Sequence, residues 1–383
     1  MIGSVDWAAV TTRATFLERL RDADFSAVLL NGAGSAISFC AVPSCPDAPL
    51  IPLIATDGVQ RKTSILSPTA HYVDYPLLEL GRKSPLFGRK CLAALALPWK
   101  LMFRSTGFDR VVYVNHWLLN GPALELSYDE LGQVINTVKT RFPHHTVVFS
   151  GIVPALTPHV GEMLAALGGR AVQSRTVHLL DLRAPMGGRA RRGRRAVRNV
   201  DRRLYESRLA DRITDRDALL AQVERMEELY SLLYLRKYSS MNPQYTREFF
   251  RLLIESDEFY ASGWCDRGRL EAFNFRLVKG GVNWWSTCGY DTSAPKKRGL
   301  FRLIATEDIL GPGEFSVINW GAGNAGFKGF RGAEPALEYD VVFDDHLPAR
   351  RRLPWRLVGK LRALKTRRSA IEAVGRVPGI RPR

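Results

Sequence analysis

The sequence predicts an α/β fold of two domains, or of one domain built from two similar halves, and three observations carry that prediction. Its 383 residues exceed what one core ordinarily organises, which points to two domains or one duplicated domain. The first half mixes short β-branched runs with helical patterns. The second half has amphipathic helices, then three consecutive strand patterns, then a helix and two more strands.

In the first half, 27–31 (AVLLN), 36–42 (AISFCAV) and 50–56 (LIPLIAT) read as strands separated by Asn31-Gly32 and Pro/Asp punctuation. A helix over 128–141, a strand over 146–151, a helix over 158–167 ending at Gly168-Gly169, and a new strand near 175–182 follow. In the second half, Leu219, Leu220, Val223, Met226, Tyr230 and Leu233 recur at helical spacing and predict one helix over 216–235. Thr246 is a natural N-cap for a helix over 246–255 whose Phe249, Phe250 and Leu253 face inward. Strands over 258–265, 269–278 and 282–290 are joined by turns at Asp266-Arg267-Gly268 and Gly280-Gly281, and Phe273, Phe275 and Leu277 alternate along the middle one. A basic loop and a helix occupy 295–310, and strands follow at 315–319 and 338–343.

With 46% hydrophobic and 24% charged residues the chain is ordinary globular material, which excludes disordered and fibrous classes. Five scattered cysteines form no CxxC pair, so zinc spacing is absent and a reducing cytoplasm is the expected compartment. No signal-peptide pattern opens the sequence, and the apolar run 91–99 is too short to span a bilayer. Placement of charge says more than the net +17. Twelve arginines face four acids over 183–216, and twelve Lys/Arg face Glu372 over 348–383. The rest of the chain is nearly neutral. In the tail, Trp355, Leu357, Val358, Leu361 and Leu364 lie among cations, a pattern that fits either a helix on an anionic membrane surface or a helix docked on its own domain. Nucleic acid is the weaker expectation, because no aromatic and basic interleaving accompanies the charge.

One glycine-rich stretch, 319–335 (NWGAGNAGFKGFRGAEP), contains a G-x-G-x-x-G spacing at Gly321, Gly323 and Gly326, with Glu338 and Asp340 at the distance of a ribose-binding acid. Further glycines at 329 and 332 and Pro335 speak against the helix that a dinucleotide fingerprint requires. A tight loop that brings Lys328 and backbone amides to a reacting centre is the preferred reading.

The order of elements, together with 191–209, 234–250, 289–304 and 319–332, resembles the GNAT acyltransferases, and within them the duplicated FemAB-like and exopolysaccharide-associated group. That resemblance implies tandem GNAT-like units with mixed, mostly antiparallel sheets flanked by helices: a degenerate unit over 1–174, an active unit over 175–347, and a basic helix over 348–383. It implies that a lysine in a short F/Y-K motif, here Lys328, closes the active unit. It also implies an acyl-CoA donor whose pyrophosphate meets the N-terminus of the helix over 300–310, where Lys296, Lys297, Arg298 and Gly299 stand, with Asn319 and Gly321 nearby. Leu300 and Phe301 depart from the small residues usual in that loop. Some members take aminoacyl-tRNA instead, a donor the basic segments also suit.

For amine attack, Asp291 is the first expected base and Glu271 the second. Asp291 begins a turn, and bonding its own backbone is the structural alternative. Tyr290 is read as a general acid or a core phenol. Tyr238 and Asn242, between two helices, stand where an acceptor pocket is expected, and Asn242 before Pro243 reads equally as a turn or cap residue. His116 is read as a structural histidine. The expected reaction is N-acyl transfer to an amine of a cell-envelope precursor, an amino sugar or amino-lipid, in the cytoplasm or at the inner membrane face, without a metal; the alternatives are aminoacyl transfer from tRNA and a non-catalytic sensor or scaffold of the same fold in envelope polysaccharide assembly.

Overall fold

The computed structural model describes residues 15–42, 44, 50–58, 63–82, 86–122, 124–184 and 188–374. Eleven strands form the frame: β1 (Ser35–Cys40), β2 (Ile51–Asp57), β3 (Arg110–Val114), β4 (Thr146–Ile152), β5 (Arg170–Asp181), β6 (Arg212–Ile213), β7 (Phe259–Asp266), β8 (Arg269–Lys279), β9 (Val282–Tyr290), β10 (Val317–Asn319) and β11 (Glu334–Phe343). They make one continuous sheet in the order β1-β2-β3-β4-β11-β5-β10-β9-β8-β7-β6, flanked by helices. The fold is a mixed α/β sheet, mostly antiparallel.

The sheet carries an internal duplication. In each half an antiparallel run (β1-β2-β3, and β7-β8-β9) leads into a parallel pair joined by a crossover helix. The first pair is β3 and β4, linked through the helix Tyr128–Arg141; the second is β9 and β10, linked through Leu300–Leu310. Parallel neighbours require such a crossover. Each half then closes with one more helix and one last strand, β5 or β11. Those last strands are exchanged. β11 lies against β4 of the first half, β5 lies against β10 of the second, and β5 pairs with β11 at the centre. The expected boundary at 174/175 therefore falls inside β5.

Local chemistry explains most elements. Ser127 and Glu130 form a capping box at the start of the helix 128–141, and the Thr246 hydroxyl accepts from the Phe249 amide as expected. Three expectations need correction. The 27–31 run is not a strand: Asp24 accepts from the Ser26 amide and starts a short helix, Phe25–Val28, and Leu30–Gly32 follow as a 3₁₀ turn. The single helix over 216–235 is instead two short helices and a π-helical stretch, Ser231–Tyr238. Tyr230 and Tyr234 stack at 4.7 Å along it, and the wider turn accommodates this column of rings. Finally, the glycine stretch is not loop throughout, because Ala325–Phe330 forms a six-residue helix despite Gly326 and Gly329.

A core cluster crosses the halves. Phe16, from the helix Phe16–Asp22, packs against Phe249, Phe259 and Trp117 with ring centroids 5.3 to 6.3 Å apart. The C-terminal helix Ala349–Val374 docks on the first half: Trp355 is fully buried, 4.8 Å from Phe108 and 5.9 Å from Tyr72. Among the described residues no helix is long and apolar enough to cross a membrane, and no group of three or more His, Cys, Asp or Glu could hold a metal ion.

Candidate functional site

Both parallel pairs part beyond a short register. β9 and β10 pair from Val282–Val317 to Trp284–Asn319, after which β9 continues to Tyr290 while the chain beyond β10 turns away through 320–324. Likewise β3 and β4 pair from Val111–Thr146 to Val114–Phe149 before the chain diverges into 115–122 and 150–153. Such an opening at the carboxyl ends of parallel strands leaves unpaired backbone and a crevice, where ligands of open sheets bind. A single cavity of about 810 Å³ is lined by residues of both openings and by Gln173–Thr176 of β5 and Leu337, Glu338 and Asp340 of β11 between them. That volume suits a medium-sized organic ligand.

Polar groups concentrate in this cavity. Arg175 donates to Glu338 at 2.6 Å and to Asn120 at 2.7 Å, and Asn120 donates to the Trp285 carbonyl at 3.3 Å, which ties one opening to the other. Tyr72 donates to Asp340 at 2.5 Å. Burial, with some help from Glu338, pushes the Asp340 carboxyl up to about 7 against the opposing pull of Tyr72 and Arg175. Burial also lowers His71 to about 3 and His116 to about 4, so both imidazoles are neutral at ordinary pH. His116 Nδ1 accepts from the Leu118 amide, and His71 shares a 2.9 Å hydrogen bond with Ser174.

Lys328 is 2% exposed and donates to the carbonyls of Trp320 (2.7 Å), Gly321 (3.0 Å) and Ala322 (2.7 Å). Three acceptors match the three N–H bonds of an ammonium. Burial, and then Arg175, pull its pKa down to about 7, so the group is poised between its two forms. Its bonds strap a loop in which Gly321, Gly323 and Asn324 all have positive φ (63°, 78° and 46°), a conformation glycine adopts without strain.

Of the residues expected at the site, Lys328, Tyr290, Asn319, Gly321, Tyr238 and Asn242 line this one cavity, as does His116. The others lie outside its lining. Burial acts to raise the Asp291 carboxyl, but hydrogen bonds from Ser293 and the 2.8 Å ion pair with Arg225 hold it below the ordinary value, so it serves the turn. Glu271 and Asp266 are ion-paired to Arg298, at 2.6 and 3.1 Å. Gly299 has φ 63°, a conformation that favours glycine, and it lies against Leu204 of the arginine-rich helix Gly188–Ser207. Lys296 and Lys297 are exposed, and Phe301 just beyond them lines the cavity.

Sequence reasoning did not foresee the roles of Asp340, Arg175, Asn120 and Tyr72. The only local signal was two acids in the otherwise apolar 338–343 run, since the Tyr72 and Arg175 pairings join residues 268 and 163 positions apart.

Neither a protein-family model nor a curated protein sequence matches this chain. Several solved structures resemble it. Among them is FemX, 9% identical, with 83% of this chain and 92% of that one covered and a TM-score of 0.45. Another is the C-terminal domain of a protein described as a lysylphosphatidylglycerol synthetase from Agrobacterium fabrum, 14% identical, covering 61% of this chain and 77% of the other at a TM-score of 0.41. A third is a tandem GNAT protein from the clavulanic acid biosynthesis pathway, 14% identical, covering 62% and 76% at a TM-score of 0.33.

Proposed function

We propose that this protein transfers an acyl group from an activated carrier to an amine held in the cavity. The observation that carries the proposal is the placement of Asp340, with a pKa of about 7, in a cavity that joins the openings of both parallel pairs. A carboxylate tuned to the working pH is the group that acyl transfer to an ammonium substrate needs. Asp340 takes the proton, the freed amine attacks the acyl carbonyl, and the carrier leaves as its thiolate or alcohol. Lys328 holds the 320–322 backbone in place and contributes positive charge where the oxyanion forms.

The carrier in this reading is a coenzyme A thioester. Its phosphates would meet the exposed Lys296 and Lys297, and its acyl arm would pass Phe301 into the cavity. The acceptor class is the amine of an envelope precursor, an amino sugar or an amino-lipid. Aminoacyl-tRNA is the second reading for the donor, favoured by the arginine-rich helix 188–207 that packs on the helix 300–310.

Isothermal titration of coenzyme A, acetyl-CoA and palmitoyl-CoA against wild type and Lys296→Ala/Lys297→Ala tests the donor. Saturable binding that weakens in the variant is expected, and no binding of any of the three would sink the thioester reading and leave charged tRNA to be tried. Against an amine that supports turnover, Asp340→Asn is expected to lower kcat by about 10²–10⁴ while leaving donor binding unchanged. Undiminished turnover would remove Asp340 from the mechanism.

A further inference from the structure

The C-terminal helix has two apolar faces, and its own domain satisfies one. Trp355 and Val358 are 0% and 5% exposed, and the Cβ position of Gly359 lies 3.7 Å from Val172. Leu353, Leu357, Leu361 and Leu364 recur at three- and four-residue spacing on the opposite side, where side chains share a face. Leu353, Leu361 and Leu364 are 45%, 52% and 62% exposed. Beside them Arg350, Arg356 and Lys360 are exposed. A helix that only docked on its domain would turn a polar face outward.

The helix Leu86–Thr106 packs against it and repeats the pattern. Leu97 and Leu101, four residues apart on one face, are 55% and 58% exposed, with exposed Arg104 on the same face. Leucines set among cations on two touching helices fit a bilayer interface, where apolar side chains enter the acyl boundary and cations meet lipid phosphates.

We infer that these two helices form a docking surface for a membrane rich in anionic lipid. Charge decides among occupants. Residues 348–383 carry twelve Lys/Arg against one acid, and the whole chain is +17, so a second copy would meet like charge. Nucleic acid would match the cations and leave the leucines unused. Arg362, on the same helix, lines the cavity, so docking would set the cavity close to the lipid surface.

Deleting the tail would uncover the Trp355 site, so the test uses substitutions on the outer face of the full chain. The protein is floated with vesicles of phosphatidylcholine, alone or mixed with phosphatidylglycerol, at low and high salt. Wild type is expected to float with the anionic vesicles and to release with salt. Leu361→Asp/Leu364→Asp and Leu97→Asp/Leu101→Asp should each weaken binding about tenfold or more with thermal melting unchanged, and Arg356→Gln/Lys360→Gln should reduce the preference for anionic lipid. The inference is overturned if wild type ignores anionic vesicles or if both leucine pairs float as wild type does. It is equally overturned if light scattering shows the leucine pairs dissolving a dimer.

Discussion

Lys328 and Asp340 reach the same pKa range from opposite directions, and their effects on stability separate by pH. Asp340 is at about 7 when folded, against an ordinary value of 3.8. Between those values the folded state keeps a proton that the unfolded chain has released, so this residue's contribution to stability falls as pH rises. Lys328 is at about 7 against an ordinary 10.5, so above 7 the unfolded chain holds the extra proton and its contribution rises with pH. His71 and His116, lowered by burial, oppose Asp340 on the acid side, which makes difference curves the informative measurement. Relative to wild type, Asp340→Asn should gain stability steadily from about pH 4 to about pH 7, by at most about 4 kcal/mol. Lys328→Met should lose ground relative to wild type from about pH 7 upward, over a similar range. Denaturant midpoints across that span check both, and parallel curves would show that neither group is shifted. At this scale Lys328 was singled out through the F/Y-K motif of the resemblance, and it lines the cavity. The place of Asp340 in the cavity was not legible, because burial raises its carboxyl against the pull of Tyr72, and both follow from long-range packing.

For elements, periodicity reports that a segment is amphipathic without saying which face meets the core. Trp355 and Leu361 read alike along the sequence, yet one is fully buried and the other 52% exposed. Trp355→Ala should therefore cost about 3–5 kcal/mol, because it empties a space between Phe108 and Tyr72. Leu361→Ala should change stability by less than about 0.5 kcal/mol. Thermal or urea melts of the two variants test the assignment of faces, and similar losses in both would contradict it. Short-range chemistry was read well where caps decide, as at Thr246. It failed at 27–31, where an Asp24 cap and the Asn31 side chain, bonded to the carbonyls of Ser240 and Asn242, outweigh the β-propensity of the run. Nothing local marks the π-helical turn at 231–238 either, since an unbroken α-helix would show the same spacing.

At the scale of the molecule, two parts were legible from the length of the chain, and tandem units only through the resemblance, whereas their joining was not. Exchange of β5 and β11 is a long-range pairing that leaves no local signature, because either strand would read the same beside its own half. This topology makes the halves interdependent. A fragment ending at 174 would stop inside β5 and lack β11, which leaves β4 with an unpaired edge, and a fragment beginning at 175 would lose the start of the strand that pairs β10. Phe16, whose ring neighbours Phe249 and Phe259, would also leave its site on the second half. Fragments 1–174 and 175–383 should therefore each fail to fold when expressed alone, with no dispersed amide spectrum and no sigmoidal melt. The intact chain should unfold in one cooperative transition, with tryptophan fluorescence and far-ultraviolet circular dichroism giving the same midpoint. Two resolved transitions, or one folded fragment, would mean that each half closes its own sheet and that the shared cavity is not a product of the exchange.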